Sequence, residues 1–96
     1  MAIIDGIHLY SQATQYWELV KRTLEQIFGV DPTPADALRR EINRSPVQEQ
    51  LLFYHAEPLD VAADLAGRQL NMEEPGDKAV VERYNKLADS MGWGLP

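Results

Sequence analysis

At 96 residues the chain makes one domain, 1–96, with room for a single hydrophobic core but not for a second domain or a deep internal cleft. Its 45% hydrophobic and 25% charged residues are those of a globular rather than a disordered protein, and the absence of cysteine excludes a disulfide framework, a thiolate zinc site and a cysteine nucleophile. The net charge of −6 is unevenly placed: residues 1–48 hold six acids and five bases, residues 49–96 nine and four. Between Glu57 and Asp77, six carboxylates stand against Arg68 alone. Such a field aids solubility, repels phosphate backbones and anionic lipid, and attracts basic partners.

No apolar run approaches the ~20 residues of a membrane helix. The first ten residues have neither the basic start nor the unbroken apolar stretch of a secretory signal, so a cytoplasmic location is expected. Within them Ile3, Ile4, Ile7 and Leu9 suit two conformations: an extended arm over 1–10, or an early start to the first helix capped by Asp5.

From residue 13 the pattern is helical. Ala13, Tyr16, Trp17, Val20, Leu24, Ile27 and Phe28 recur at helical spacing as one apolar stripe, with Glu18, Lys21, Arg22 and Glu25 opposite and Gly29 placed to end the helix. Prolines then organise the chain. Pro34, Pro46, Pro58 and Pro75 each sit where a first helical turn tolerates a missing N–H. Thr33 and Ser45 are the expected N-caps of the second and third helices, with Asp36 and Gln48 placed to reciprocate. Glu57 is a poorer cap, so Pro58 marks either a helix start or a kink, and Asp77 is the expected cap of the last helix.

Pro34, Pro46 and Pro58 are twelve residues apart, which implies short helices of two to three turns. Ala35, Leu38 and Ile42 mark the second helix. Val47, Leu51 and Tyr54 mark the third, with Leu52 and Phe53 beside them. Leu59, Ala62, Leu65 and Ala66 mark the fourth, which stops at Gly67. Val80, Tyr84, Leu87 and Met91 mark the last; Gly92 stops it and Trp93 is placed to fold back on Leu87 and Ala88. No two alternating β-branched segments exist to pair as a sheet. The expected fold is all-α: a compact bundle or orthogonal array of about five helices, the first and last longest.

Candidate chemistry is sparse. Ala63 and Gly67 stand four apart, as in a helix-turn-helix, but the following recognition helix would carry Glu73 and Gly76 at its apolar positions with Pro75 between them. In the other frame the reading helix would offer Asp60 and Asp64 to phosphates, where lysine and arginine are needed. His55, Glu57, Asp60 and Asp64 could be drawn as a metal cluster. The plainer account places Asp60 near a helix N-terminus and pairs Asp64 with Arg68. Arg39, Arg40 and Arg44 are the one basic concentration, with Asp36 and Arg40 spaced to pair and the others solvated. Of Ser11, Ser45 and Ser90 only Ser11 has a histidine near it in sequence, His8, which with His55 makes the only two; nothing suggests a triad, and there is no glycine-rich phosphate loop. No metal or other cofactor is expected.

The run Leu51-Leu52-Phe53-Tyr54 sweeps most of a helix circumference, since successive residues lie about 100° apart. Either that helix is central or part of it meets a partner. The sequence therefore points to a non-catalytic protein-interaction domain, a small adaptor, inhibitor or regulatory subunit. Its candidate interface residues are Leu52, Phe53, Asp60 and Asp64. Its partner would be a protein with a basic surface or a second copy of the chain, with neither nucleic acid nor membrane. The competing readings are a helix-turn-helix DNA-binding regulator and a small enzyme or enzyme subunit.

Overall fold

The computed structural model describes residues 2–93, with side chains from residue 13 onward. Among these residues the chain is all-α, with helices α1 (Ala2–Gln26), α2 (Thr33–Asn43), α3 (Val47–Phe53), α4 (Pro58–Leu65) and α5 (Pro75–Ser90). The backbone of residues 2–10 is helical and continuous with the striped segment, so α1 takes the place of an extended arm.

The α1 stripe is the spine of the core. Tyr16, Trp17, Val20 and Leu24 are buried against Ala35 of α2 and Val61 and Ala62 of α4. On another side of α1, Leu19 is buried with Leu59 of α4 and Tyr84 and Ala88 of α5. Because α1 is covered on two sides, its buried surface is wider than the single stripe expected, and it takes in Leu19 and Thr23 as well. Burying Thr23 leaves nothing unpaired, since its hydroxyl donates to the Leu19 carbonyl at 2.7 Å.

The most deeply placed short helix is α4, whose Pro58, Leu59, Val61, Ala62 and Ala63 are all buried. Buried on most of its circumference, it shows solvent mainly the narrow strip of Asp60 and Asp64. Alanines at its contact with α1 allow the two backbones to approach closely.

Gly29, Gly67 and Gly92 all have positive φ and end α1, α4 and α5. At the last two the closing bonds are those of a Schellman turn: the N–H of Arg68 reaches the Ala63 carbonyl and that of Trp93 the Ala88 carbonyl. Trp93 is thereby folded onto the core beside Ala88.

Helix starts depart from expectation in three places. Thr33 is not the cap of α2. Pro32 is already in the helical region, and Asp31 Oδ1 accepts from both the N–H and the hydroxyl of Thr33 at 2.9 and 2.6 Å. Pro32 thus holds the cap position, and the Asp31 carboxylate just before it satisfies the free N–H of Thr33 at the helix start. Ser45 turns its hydroxyl back to the Glu41 carbonyl of α2, and Pro46 itself occupies the cap position of α3 without a side-chain bond. Asp77 does not cap α5, which begins at Pro75. Its carboxylate instead accepts from the Asn71 N–H at 2.8 Å and meets Arg68 at 3.4 Å, tying the α4–α5 connection to the start of α5. Glu57 does precede a helix start rather than a kink, with extended backbone and Pro58 in the first turn.

Candidate functional site

Two corner elements position α3. At its start, Gln50 Nε2 donates to the Ser45 carbonyl at 2.8 Å, latching the α2–α3 corner. At its end, aromatic side chains pin it to α1. Phe53 stacks on Trp17 with centroids 5.5 Å apart and planes at 14°. Tyr54 meets Tyr16 edge to face at 5.0 Å and accepts a hydrogen bond from Trp17 Nε1 at 2.8 Å. The Tyr16 hydroxyl in turn donates to the Ala56 carbonyl at 2.9 Å. Edge-to-face and stacked pairs of this kind add to simple area burial, and each buried polar tip has a partner.

The consequence is a helix with an inside and an outside. No α3 residue is buried. Phe53 and Tyr54 are half-buried against the core, whereas Val47 is 64%, Leu51 44% and Leu52 71% exposed. The expected core set of Val47, Leu51 and Tyr54 is therefore corrected: only Tyr54 faces inward, accompanied by Phe53. With seven residues α3 is too short to carry a full stripe, and the aromatic anchors at its end decide its rotation.

Of the four candidate interface residues, Leu52 projects outward and Phe53 turns into the aromatic cluster. Asp60 and Asp64 lie on the exposed edge of α4. Burial pushes the Tyr16 phenol above its usual range, and nearby Tyr54, Glu57 and Asp60 push it further. Asp64 is one turn further on. It lines a shallow groove of about 380 Å³ with Asp60, Ala63, Arg68, Gln69 and Leu70. Asp64 does not pair with Arg68, whose guanidinium meets Asp77 and lies 5.7 Å over the Phe28 ring. The Asp36–Arg40 pair is likewise replaced, by Lys21–Asp36 at 3.3 Å across α1 and α2. Both local pairs lost to partners that tertiary packing brings closer. Arg39 reaches Thr14, while Arg40 in the last turn of α2 and Arg44 just after it are exposed.

The other groups singled out by sequence do not converge. His55 is exposed on the α3–α4 turn, and among the described residues no three histidine, aspartate or glutamate side chains are grouped to hold a metal ion. Ser45 and Ser90 donate to the carbonyls of Glu41 and Leu87. The side chains of His8 and Ser11 lie outside those described. A second groove, about 690 Å³, is lined by Thr14, Gln15, Glu18, Arg22, Ser90 and Met91. Nine residues separate α4 from α5, not the three or four of a helix-turn-helix connection. In the other frame α4 is buried in the core, and its exposed side chains are Asp60 and Asp64. No described helix is long and apolar enough to cross a membrane.

No protein-family model, curated protein or solved structure matches this chain.

Exposure of Val47 and Leu51 is the part of the site that sequence reasoning missed. The signal was present in the crowding of four apolar residues at 51–54 with two aromatics last, since large rings gain most from burial and claim the inner face.

Proposed function

We propose that this chain is a non-catalytic protein-interaction domain, an adaptor, inhibitor or regulatory subunit, which binds through the outer face of α3. The observation that carries this reading is the exposed apolar trio Val47, Leu51 and Leu52 on a helix held rigidly by its inner aromatic side. Contiguous apolar surface on a fixed element suits binding, because little conformational entropy remains to be lost on association. The exposed acids that follow α3 in the chain, Glu57 (which also accepts from the Tyr84 hydroxyl at 3.1 Å) and Asp60, favour basic groups on the partner and disfavour nucleic acid or an anionic membrane. A cytoplasmic protein partner fits this surface.

The test is affinity capture from the native host with wild-type and Leu52→Asp protein, the bound proteins being identified by mass spectrometry. A partner retained by the wild type and lost from a variant with unchanged circular dichroism is the expected result. Identical sets of bound proteins would overturn the reading.

A further inference from the structure

Residues 46–56 close their backbone hydrogen bonds among themselves. Glu49 and Gln50 donate to the Pro46 carbonyl, Tyr54 to that of Gln50, His55 to Leu52 and Ala56 to Phe53. Before them α2 ends with Ser45 on Ile42, and after them α4 begins with Asp60 and Val61 on Glu57. Pro46 and Pro58 stand at the two junctions, and neither has an N–H to donate across them. The backbone is extended at Pro46 (φ −56°, ψ 151°) and again at Glu57 (φ −67°, ψ 139°), so rotation at these two points moves the segment without unwinding α2 or α4. Among the described helices α3 alone has no buried residue. It is held to the core by the rings of Phe53 and Tyr54, by the Trp17 indole on the Tyr54 hydroxyl and by the Tyr16 hydroxyl on the Ala56 carbonyl. Gln50 adds one bond, to the Ser45 carbonyl.

We propose that residues 46–56 are a flap that leaves the core and melts in one step, uncovering Tyr16 and Trp17. Seven helical residues fall well short of the ~12–15 that an isolated helix needs in water, so α3 stays helical only while its rings are docked. Detachment and melting are therefore one event. What remains is still packed: Val20 and Leu24 keep Ala35, Val61 and Ala62 beside them, and the cluster of Leu19, Leu59, Tyr84 and Ala88 contains nothing from α3. Tyr16 and Trp17 are each 1% exposed under the closed flap, and opening frees their rings together with the phenol O–H and the indole N–H. Closed, α3 is rigid on the timescale of side-chain motion; the opening belongs to the slower class of local unfolding. This device goes beyond the binding role of the outer face and stands whether or not a partner exists. Where a partner does bind, Leu52 is displayed for it only while Trp17 is covered, so binding there holds the flap shut.

Native-state hydrogen exchange of the full chain, read residue by residue by NMR, tests this. The amides of residues 51–56 are expected to share one protection factor within about threefold, roughly 10-fold to 1,000-fold below those of Val20 and Leu24 in α1 and Ala88 in α5. The Trp17 indole N–H should exchange with the flap, while the backbone amide of the same residue keeps the high protection of α1. Phe53→Leu removes the stacked pair but keeps an apolar side chain at the hinge end of α3. It should lower protection at 51–56 and at the Trp17 indole by a further factor of about three to ten, and leave Leu24 and Ala88 within about twofold of wild type. Flap amides as protected as those of α1 would show that α3 opens only with the whole domain. Protection that is low but graded along 51–56, or an indole N–H that stays with the α1 amides, would mean fraying that never uncovers Trp17. Equal acceleration of α1, α5 and the flap by Phe53→Leu would likewise overturn the separate opening.

Discussion

Adjacent residues Leu52 and Phe53 differ so much in environment that truncating them should separate fold from surface. Complete loss of a buried Phe side chain costs about 3–5 kcal/mol. Phe53 is half-buried, but it forms the stacked pair with Trp17 and lies 5.9 Å from Tyr16, and aromatic pairs are worth about 0.5–1.5 kcal/mol beyond their area. Phe53→Ala is therefore expected to cost about 2–3 kcal/mol. Leu52 is 71% exposed, so under a third of its burial energy of about 1.5–3 kcal/mol is at stake, and Leu52→Ala should fall within about 0.5 kcal/mol of wild type. For a domain of this length 2–3 kcal/mol lowers Tm by roughly 10–20 °C. Urea and thermal unfolding at low micromolar concentration, followed by the fluorescence of Trp17 and Trp93, would measure both variants as monomers. Equal losses for the two substitutions, or a loss below about 0.5 kcal/mol for Phe53→Ala, would refute the assignment of inner and outer faces.

Gly67→Ala should destabilise by about 1 kcal/mol through its left-handed backbone alone, since no atom lies within 4 Å of the added methyl, whereas Gly76→Ala, in the first turn of α5 with equally open space, should be neutral or stabilising by up to about 0.5 kcal/mol in the same unfolding assay. Asp77→Ala removes the acceptor of the Asn71 N–H and the partner of Arg68, and is expected to cost about 1–2 kcal/mol with faster amide exchange at Asn71. Burial first, and then neighbouring Tyr54, Glu57 and Asp60 for Tyr16 and Glu57 for Tyr84, hold both phenols above their ordinary range. The folded state keeps those protons more tightly than the unfolded chain, so their stabilisation is complete below about pH 10 and lost as pH rises further, and tyrosinate absorbance should show two of the four tyrosines ionising only as helix content falls. Asp31 behaves oppositely: hydrogen bonds from the Thr33 hydroxyl and N–H lower its pKa, so its capping is present above about pH 4 and lost as acid protonates it, and Asp31→Asn should remove that part of the acid dependence. Duplex DNA should bind negligibly at physiological salt by fluorescence anisotropy; micromolar affinity that falls steeply with added salt would show that the field from Glu57 to Asp77 had been misjudged.

What sequence reveals here follows the range of each interaction. The α1 stripe and the stops at Gly29, Gly67 and Gly92 were legible because periodicity and left-handed backbone are local demands. Caps were less so: Thr33 and Ser45 have suitable side chains, yet Asp31-Pro32 competes one step upstream, and the Ser45 hydroxyl has an acceptor in α2. The pairs Asp36–Arg40 and Asp64–Arg68 were sound as isolated helix pairs but lost to Lys21 and Asp77, residues brought near only by packing. The burial of α4 and the orientation of α3 are likewise tertiary facts, settled by which of several apolar faces reaches α1 first. Within the candidate site, the crowding at residues 51–54 was visible, whereas the division of labour between Phe53 inside and Leu52 outside needed the position of Trp17.

The separation of inner from outer side chains on α3 has an evolutionary consequence. Most random substitutions in a small domain draw on a thin margin of stability, so new binding properties are usually limited by what the fold can survive. Val47, Leu51 and Leu52 add little to that margin, because the helix beneath them is held by Phe53 and Tyr54 and by the Gln50 latch. Descendants of this chain can therefore rewrite the outer surface of α3 almost independently of its core. Divergence among them should concentrate at positions 47, 48, 51, 52 and 55, while Tyr16, Trp17, Phe53 and Tyr54 change together or not at all.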